Sequence, residues 1–230
     1  MSEIKKTTTE EPVKKDTYIQ VENFFLKNRN MIIGALAVIV VAIGGYFGYK
    51  KLYLEPRILT AQNSIAPAQK YFSSDSVDLA LNGDGTHMGF LSIIDKYGNT
   101  PSGNLANYYA GVIYLKKKDF DNAIKCLGNY KPGTDEIAGK THELMGHAYA
   151  EKQDFTKAIS EYKLAGEKAN NNIQSPFYYK LAGDLMSDQN DLKGALEMYK
   201  KIKKEYPLSS EGQNIDVDIA YAETKLGEKK

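Results

Sequence analysis

The 230-residue sequence has a single cysteine, no tryptophan, and no excess of either charge. Each shortage removes a class of protein. One thiol, Cys126, cannot form an intrachain disulfide, so no disulfide framework holds the chain. It has no base in a local signature and reads as a small packed side chain, not a nucleophile. Thirty Lys and Arg face 29 Asp and Glu, a formal net charge of +1 with the signs interspersed. A general nucleic-acid binder carries a basic excess, so nucleic acid is not the expected partner.

Catalytic and metal motifs are missing as well. His142 and His147 are five residues apart, and Gly146 takes the i+4 place that a zinc-protease helix needs. That spacing turns the second ring by about 140° from the first. The Asn82-Gly83-Asp84-Gly85 stretch resembles a calcium loop only in its glycines. Counted from Gly85, Ala80 and Leu91 stand where the first and last carboxylates belong. Gly83, Gly85 and Gly89 do not have dinucleotide-loop spacing. The expectation is a protein that is not an enzyme and takes no cofactor and no metal.

What is present begins with an apolar run. Residues 31–49, MIIGALAVIVVAIGGYFGY, carry no charge. About 19 residues span about 28 Å as a helix, close to the hydrocarbon thickness of a bilayer. Lys27 and Arg29 precede the run, Lys50, Lys51 and Arg57 follow it, and Tyr46, Tyr49 and Tyr53 occupy the interfacial positions. A cleaved signal peptide is the rival reading. The long leader and the absence of a small-x-small site after the run favour an uncleaved anchor. Gly44 and Gly48 form a small-xxx-small pair that would let another membrane helix approach. Basic residues at both ends leave the orientation undetermined by charge.

The remainder is repetitive. Gly111, Tyr114, Ala123 and Leu127 share a spacing with Gly146, Tyr149, Ala158 and Tyr162, and with Gly183, Met186, Ala195 and Tyr199. Gly precedes Ala by twelve residues in each case, and the repeats are 35 and 37 residues apart. The small residues predict close helix crossings, and the large ones fall on the same face to fill the core. Asp119, Asp154 and Asp191 stand where the second helix of each pair needs a cap, and Pro207 closes the third pair. A degenerate repeat precedes these: residues 54–72, with Pro56 at its start and Pro67 kinking it, supply a first helix. Gly89, Ile93 and Pro101 keep the second-helix spacing. Between them, Val77, Leu79 and Leu81 alternate ahead of Asn82-Gly83, which predicts an extended segment and turn over 76–87. That insertion serves either as a plug or as a docking loop. Residues 214–226 read as a closing helix whose polar side, Asp216, Asp218, Glu223 and Lys225, shields the end of the stack.

The expected organisation is therefore all-α. It comprises a flexible tail (1–30), a transmembrane helix (31–51) and a degenerate repeat (52–103) with an inserted loop at 76–87. Three repeats (104–210) and a capping helix with a tail (211–230) complete it. The repeated motif resembles the tetratricopeptide repeat, whose length is about 34 residues, and implies an α-solenoid. The layout, with DLALNGDG, GFLSIIDKYGNT and NLANYYAGVIY, resembles the YfgM-like bacterial proteins. That resemblance implies a single-pass inner-membrane protein with a cytoplasmic N-terminus and periplasmic repeats. Its implied role is a protein-binding adaptor ancillary to the SecYEG translocon, periplasmic chaperones and secreted chains. A scaffold for another cell-envelope complex is the alternative. In this fold the first helix of each repeat lines a groove. Register then points to Leu105, Tyr108, Val112, Lys140, Glu143, His147, Phe177, Lys180, Asp184, Val217 and Tyr221 as partner-binding candidates. Tyr108 and Val112 stand where carboxylate-clamping repeats carry Lys and Asn, so an extended peptide or a partner helix suits the groove better.

Overall fold

The computed structural model describes the backbone of residues 13–228 and the side chains of residues 18–228. The chain divides after Pro56 into two compact units. Among the described residues the regular structure is helical, apart from one isolated antiparallel bridge between Gly83 and Met88.

The first unit holds α1 (Val13–Lys27), α2 (Arg29–Gly48) and one π-helical stretch, Tyr49–Leu54. The helix at 13–27 corrects the expectation of a flexible tail to residue 30; residues 1–12 lie outside the described residues. Tyr18, Val21 and Phe25 recur at helical spacing, a periodicity hidden by the polar residues among them. In α2 no side chain is buried, and the helix is long and apolar enough to cross a membrane. In the π-helical stretch, the rings of Tyr49 and Tyr53 stack with centroids 5.3 Å apart.

The second unit is a succession of helical hairpins. Its elements are α3 (Glu55–Ser73), α4 (Val77–Asn82), α5 (Phe90–Tyr97), α6 (Pro101–Lys116), α7 (Phe120–Asn129), α8 (Asp135–Glu151) and α9 (Phe155–Ala169). After these come α10 (Gln174–Asp188), α11 (Leu192–Glu205), α12 (Ser210–Asn214) and α13 (Asp216–Glu228). Pro56 is the second residue of α3, and Pro67 lies inside it.

Three hairpins close on the same contact. A Cβ added to Gly111 would lie 2.6 Å from Leu127 Cγ, one on Gly146 2.5 Å from Tyr162 Cε1, and one on Gly183 2.6 Å from Tyr199 Cε1. Ala123, Ala158 and Ala195 are fully buried in the facing helices. The small residues are therefore a steric requirement of the crossings.

One turn recurs four times. Asp75, Lys118, Gln153 and Asn190 all have φ between +58° and +64°. The next residue donates its N–H five residues back: Ser76 to Tyr71 O (2.9 Å), Asp119 to Tyr114 O (2.9 Å), Asp154 to Tyr149 O (2.9 Å) and Asp191 to Met186 O (2.8 Å). This is the Schellman closure, which satisfies carbonyls left open at a helix end. The carboxylates of Asp119, Asp154 and Asp191 then accept the N–H of Asn122, Lys157 and Gly194 at 3.3, 3.3 and 3.0 Å. Each such cap contributes about 1 kcal/mol.

The fourth turn changes the reading of the first repeat. Ala68 and Ala80, both fully buried, stand twelve residues apart in the Gly-to-Ala register, and Tyr71 holds the place of Tyr114. The second helix of this repeat therefore starts at Val77. It breaks at Gly83 and resumes as α5. The extended segment expected over 76–87 is instead helix over Val77–Asn82, followed by a turn. Val77, Ala80 and Leu81 make an i, i+3, i+4 face that packs into the core and leaves Leu79 exposed, so the helical period overrides the alternation. Gly83 has φ +90°, and a Cβ there would meet His87 O at 2.4 Å, so the turn requires glycine. Asp84 ties the turn by accepting Tyr71 Oη (2.6 Å), His87 N (2.6 Å) and Thr86 N (2.8 Å). The Tyr71 and His87 bonds hold its carboxyl well below the usual range. Of the residues read as keeping the second-helix spacing, Gly89 instead caps α5, and Pro101 opens α6 behind a Thr100 cap that accepts Gly103 N at 3.1 Å.

The closing helix keeps Asp216 and Glu223 exposed and Asp218 half-buried, and ties all three to the preceding hairpin: Asp218 pairs with Lys180 at 3.3 Å, Glu223 with Lys200 at 2.8 Å, and Asp216 with Lys203. Lysines on α10 and α11 draw these carboxylates back onto the preceding hairpin, and Val217 and Tyr221 are left exposed.

Candidate protein-binding groove

Positions six before, three before and one after each small residue share one face of the first helices, because their spacings are three and four. On α6 these are Leu105, Tyr108 and Val112, on α8 Lys140, Glu143 and His147, and on α10 Phe177, Lys180 and Asp184. Val217 and Tyr221 continue the register on α13.

The α6 positions are the least polar. Leu105 packs against the core cluster formed by α3 to α6, so it supports the groove more than it lines it. The Tyr108 ring lies 5.2 Å from the Tyr130 ring, and both are partly exposed. Val112 is half-buried.

On α8 the structure corrects one candidate. Glu143 is 5% exposed and therefore sits beneath the groove floor, unavailable as a surface contact. Its carboxylate takes Lys140 Nζ at 2.7 Å and His147 Nε2 at 3.3 Å. Burial alone pushes its pKa up, but these hydrogen bonds and the lysine charge outweigh burial and bring it below the ordinary value. Burial, together with the nearby Glu143 charge, raises the Tyr178 pKa. His147 is itself exposed, with Nδ1 2.9 Å from Tyr162 Oη. His142 points elsewhere, to Glu161 Oε2 at 2.7 Å. The two rings thus have separate partners, and among the described residues no cluster of ligands suits a metal ion.

On α10, Lys180 Nζ lies 2.9 Å from Asp184 Oδ1 and 3.3 Å from Asp218 Oδ2. Burial would lower the Lys180 pKa, but the two carboxylates raise it. Tyr199 Oη donates to Asp184 Oδ1 at 3.0 Å. Phe177 is exposed beside this network and lines an open depression of about 390 Å³ together with Lys180, Leu181, Asp184, Ser210, Glu211 and Asn214. Cys126 is half-buried against the first core cluster, and burial raises its thiol pKa.

Tyr162 and Tyr199 were legible as core residues, but their hydroxyl contacts were not. The signal lies in the register. Where the residue after the small one is polar (His147, Asp184), the facing core residue is Tyr; where it is Val112, that residue is Leu127. The core tyrosine reaches through the hairpin to hold the groove side chain from below. Asp218 has no such signal, because its partner is thirty-eight residues away.

No protein-family model matches this chain, and no curated protein matches it either. Along the face, charges are largely paired with one another, while Tyr108, His147, Phe177, Val217 and Tyr221 remain open to contact. Such a surface offers aromatic area and hydrogen bonds and presents no activated nucleophile.

Proposed function

We propose that the chain is a membrane-tethered adaptor of the tetratricopeptide-repeat type, whose groove holds an extended segment or a helix of another protein. The observation that carries this reading is the recurrence of one hairpin contact, Gly111–Leu127, Gly146–Tyr162 and Gly183–Tyr199, with one ring of each first helix, Tyr108, His147 and Phe177, on the same face at different register positions. Rigid aromatic side chains supply contact area at low entropic cost, and the pre-paired charges need no rearrangement on binding.

The resemblance to YfgM-like proteins extends the proposal. The anchor sits in a bacterial inner membrane with the N-terminus cytoplasmic and the repeats periplasmic, near the Sec translocon and periplasmic chaperones. Photo-crosslinkers at Tyr108 and Phe177 in intact membranes test the partner. Capture of translocon components, chaperones or secreted chains supports the adaptor. Capture of one fixed envelope complex shows a scaffold, and no capture from either site overturns the groove. Protease added to spheroplasts tests topology: removal of the domain after Lys51 is expected, and protection overturns the periplasmic placement.

A further inference from the structure

The first unit contains a helix that the span does not account for. Every residue from 18 to 27 in α1 is exposed, including Tyr18 (80%), Phe24 (57%), Phe25 (54%) and Leu26 (66%). Their distribution is ordered. Gln20, Asn23 and Lys27 fall within about 60° of one another at 100° per residue, and Tyr18, Val21 and Phe25 occupy a similar arc opposite. Phe24 lies on one flank and Ile19 and Leu26 on the other; Glu22 alone puts an acid inside the broad apolar arc. Over residues 18–27 the result is a wide apolar face with a narrow polar strip.

What covers that face follows from what comes next in the chain. Between α1 and α2 stands Asn28, whose φ of −105° and ψ of 12° leave the helical region. Its side-chain Nδ2 donates to Phe24 O at 2.8 Å, closing the end of α1. The joint lies within Lys27-Asn28-Arg29-Asn30, a polar tetrad immediately before the apolar run. Such a tetrad belongs at headgroup depth, with the two cations near lipid phosphates. Continued along the axis of α2, α1 would hold its rings as far as about 15 Å out into water. Turned at Asn28, the same rings lie at the depth where aromatic side chains are favoured.

We propose that α1 is an interfacial helix that lies on the phospholipid surface of the bilayer crossed by α2, with Asn28 as its bend. The lipid-facing side is Tyr18, Val21 and Phe25, and the water-facing strip is Gln20, Asn23 and Lys27. This rests on α2 being a membrane span, so the experiment includes a reporter in the span itself.

The absence of tryptophan makes each introduced indole a sole reporter. The full chain carrying V21W, F25W, N23W, I39W or L208W is reconstituted into mixed phosphatidylcholine and phosphatidylglycerol vesicles. Each is then titrated with iodide and, separately, examined in brominated lipid. For V21W and F25W the expected result is a blue-shifted emission, quenched by brominated lipid and shielded from iodide. N23W should respond to iodide as the exposed reference L208W does. If V21W and F25W also behave like L208W while I39W is quenched by brominated lipid, the span stands and the interfacial helix is overturned. If V21W and F25W resist both quenchers, protein covers the face and the lipid proposal is equally overturned. If I39W responds to iodide, the membrane span itself fails, and the interfacial helix with it.

Discussion

The Cβ that Gly146 lacks would stand 2.5 Å from Cε1 of Tyr162, inside any real carbon–carbon contact. The equivalent pair, Gly183 and Tyr199, has a clearance of 2.6 Å. In both, the tyrosine hydroxyl continues past the crossing to a groove side chain. The packing of the hairpin and the shape of the groove are thus set by one side chain.

Substituting Gly146→Ala should destabilise the second unit. Overpacking costs about 1–3 kcal/mol, and the gain in helix propensity returns only about 1 kcal/mol. Gly128→Ala is the matched control, because a Cβ at Gly128 has nothing within 4 Å and α7 gains propensity alone. Urea unfolding followed by circular dichroism should lower the midpoint for G146A and raise it for G128A. A raised midpoint for both would show that Tyr162 can move aside freely.

The left-handed turn residues differ in chemistry but not in conformation. Gln153, with φ +60°, has a Cβ that disfavours this region, whereas Asn190, at +64°, is a residue type that tolerates it. Gln153→Gly should therefore stabilise by about 0.5–1 kcal/mol, and Asn190→Gly by less. Thermal unfolding of the two variants side by side checks the order.

Buried tyrosines make the fold sensitive to alkali. Burial and nearby carboxylates push the pKa values of both Tyr162 and Tyr179 up to about 12 from an ordinary 10.0. Because the folded values are raised, this contribution is complete below pH 10 and is lost between there and about 12 as the unfolded chain alone releases protons. Tyrosinate absorbance should lag behind free tyrosine until ellipticity falls, then rise with it. Tyr162→Phe should weaken that coupling.

Glu143 governs the acid side. Its pKa is lowered in the fold, so its contribution is present above the ordinary carboxylate range and disappears as the pH falls through the lowered folded value. Glu143→Gln leaves Lys140 without its counter-ion and should cost about 1–3 kcal/mol at neutral pH. The gap from the wild-type chain should close in acid, which unfolding midpoints at several pH values will show.

Much of this organisation is written locally. An uncharged run of spanning length, a Gly and an Ala twelve residues apart, and an Asp at each second-helix start depend on neighbours within one or two helices, and they determined the long apolar helix, the three hairpins and the register of their first helices. The first repeat was harder to read because Ala68 substitutes for the glycine and the break at Gly83 displaces the rest of the helix. Its Ala68–Ala80 spacing was nonetheless present. Tertiary structure alone decided which groove candidates are open. Glu143 and Asp184 occupy neighbouring register positions in different hairpins, yet Glu143 is submerged under Tyr178, Lys140 and His147. The pairing of the α13 acids was decided in the same way: Asp216 and Glu223 stay exposed, but Lys180, Lys200 and Lys203 lie across a helix interface, and each carboxylate pairs with the counter-ion nearest in space.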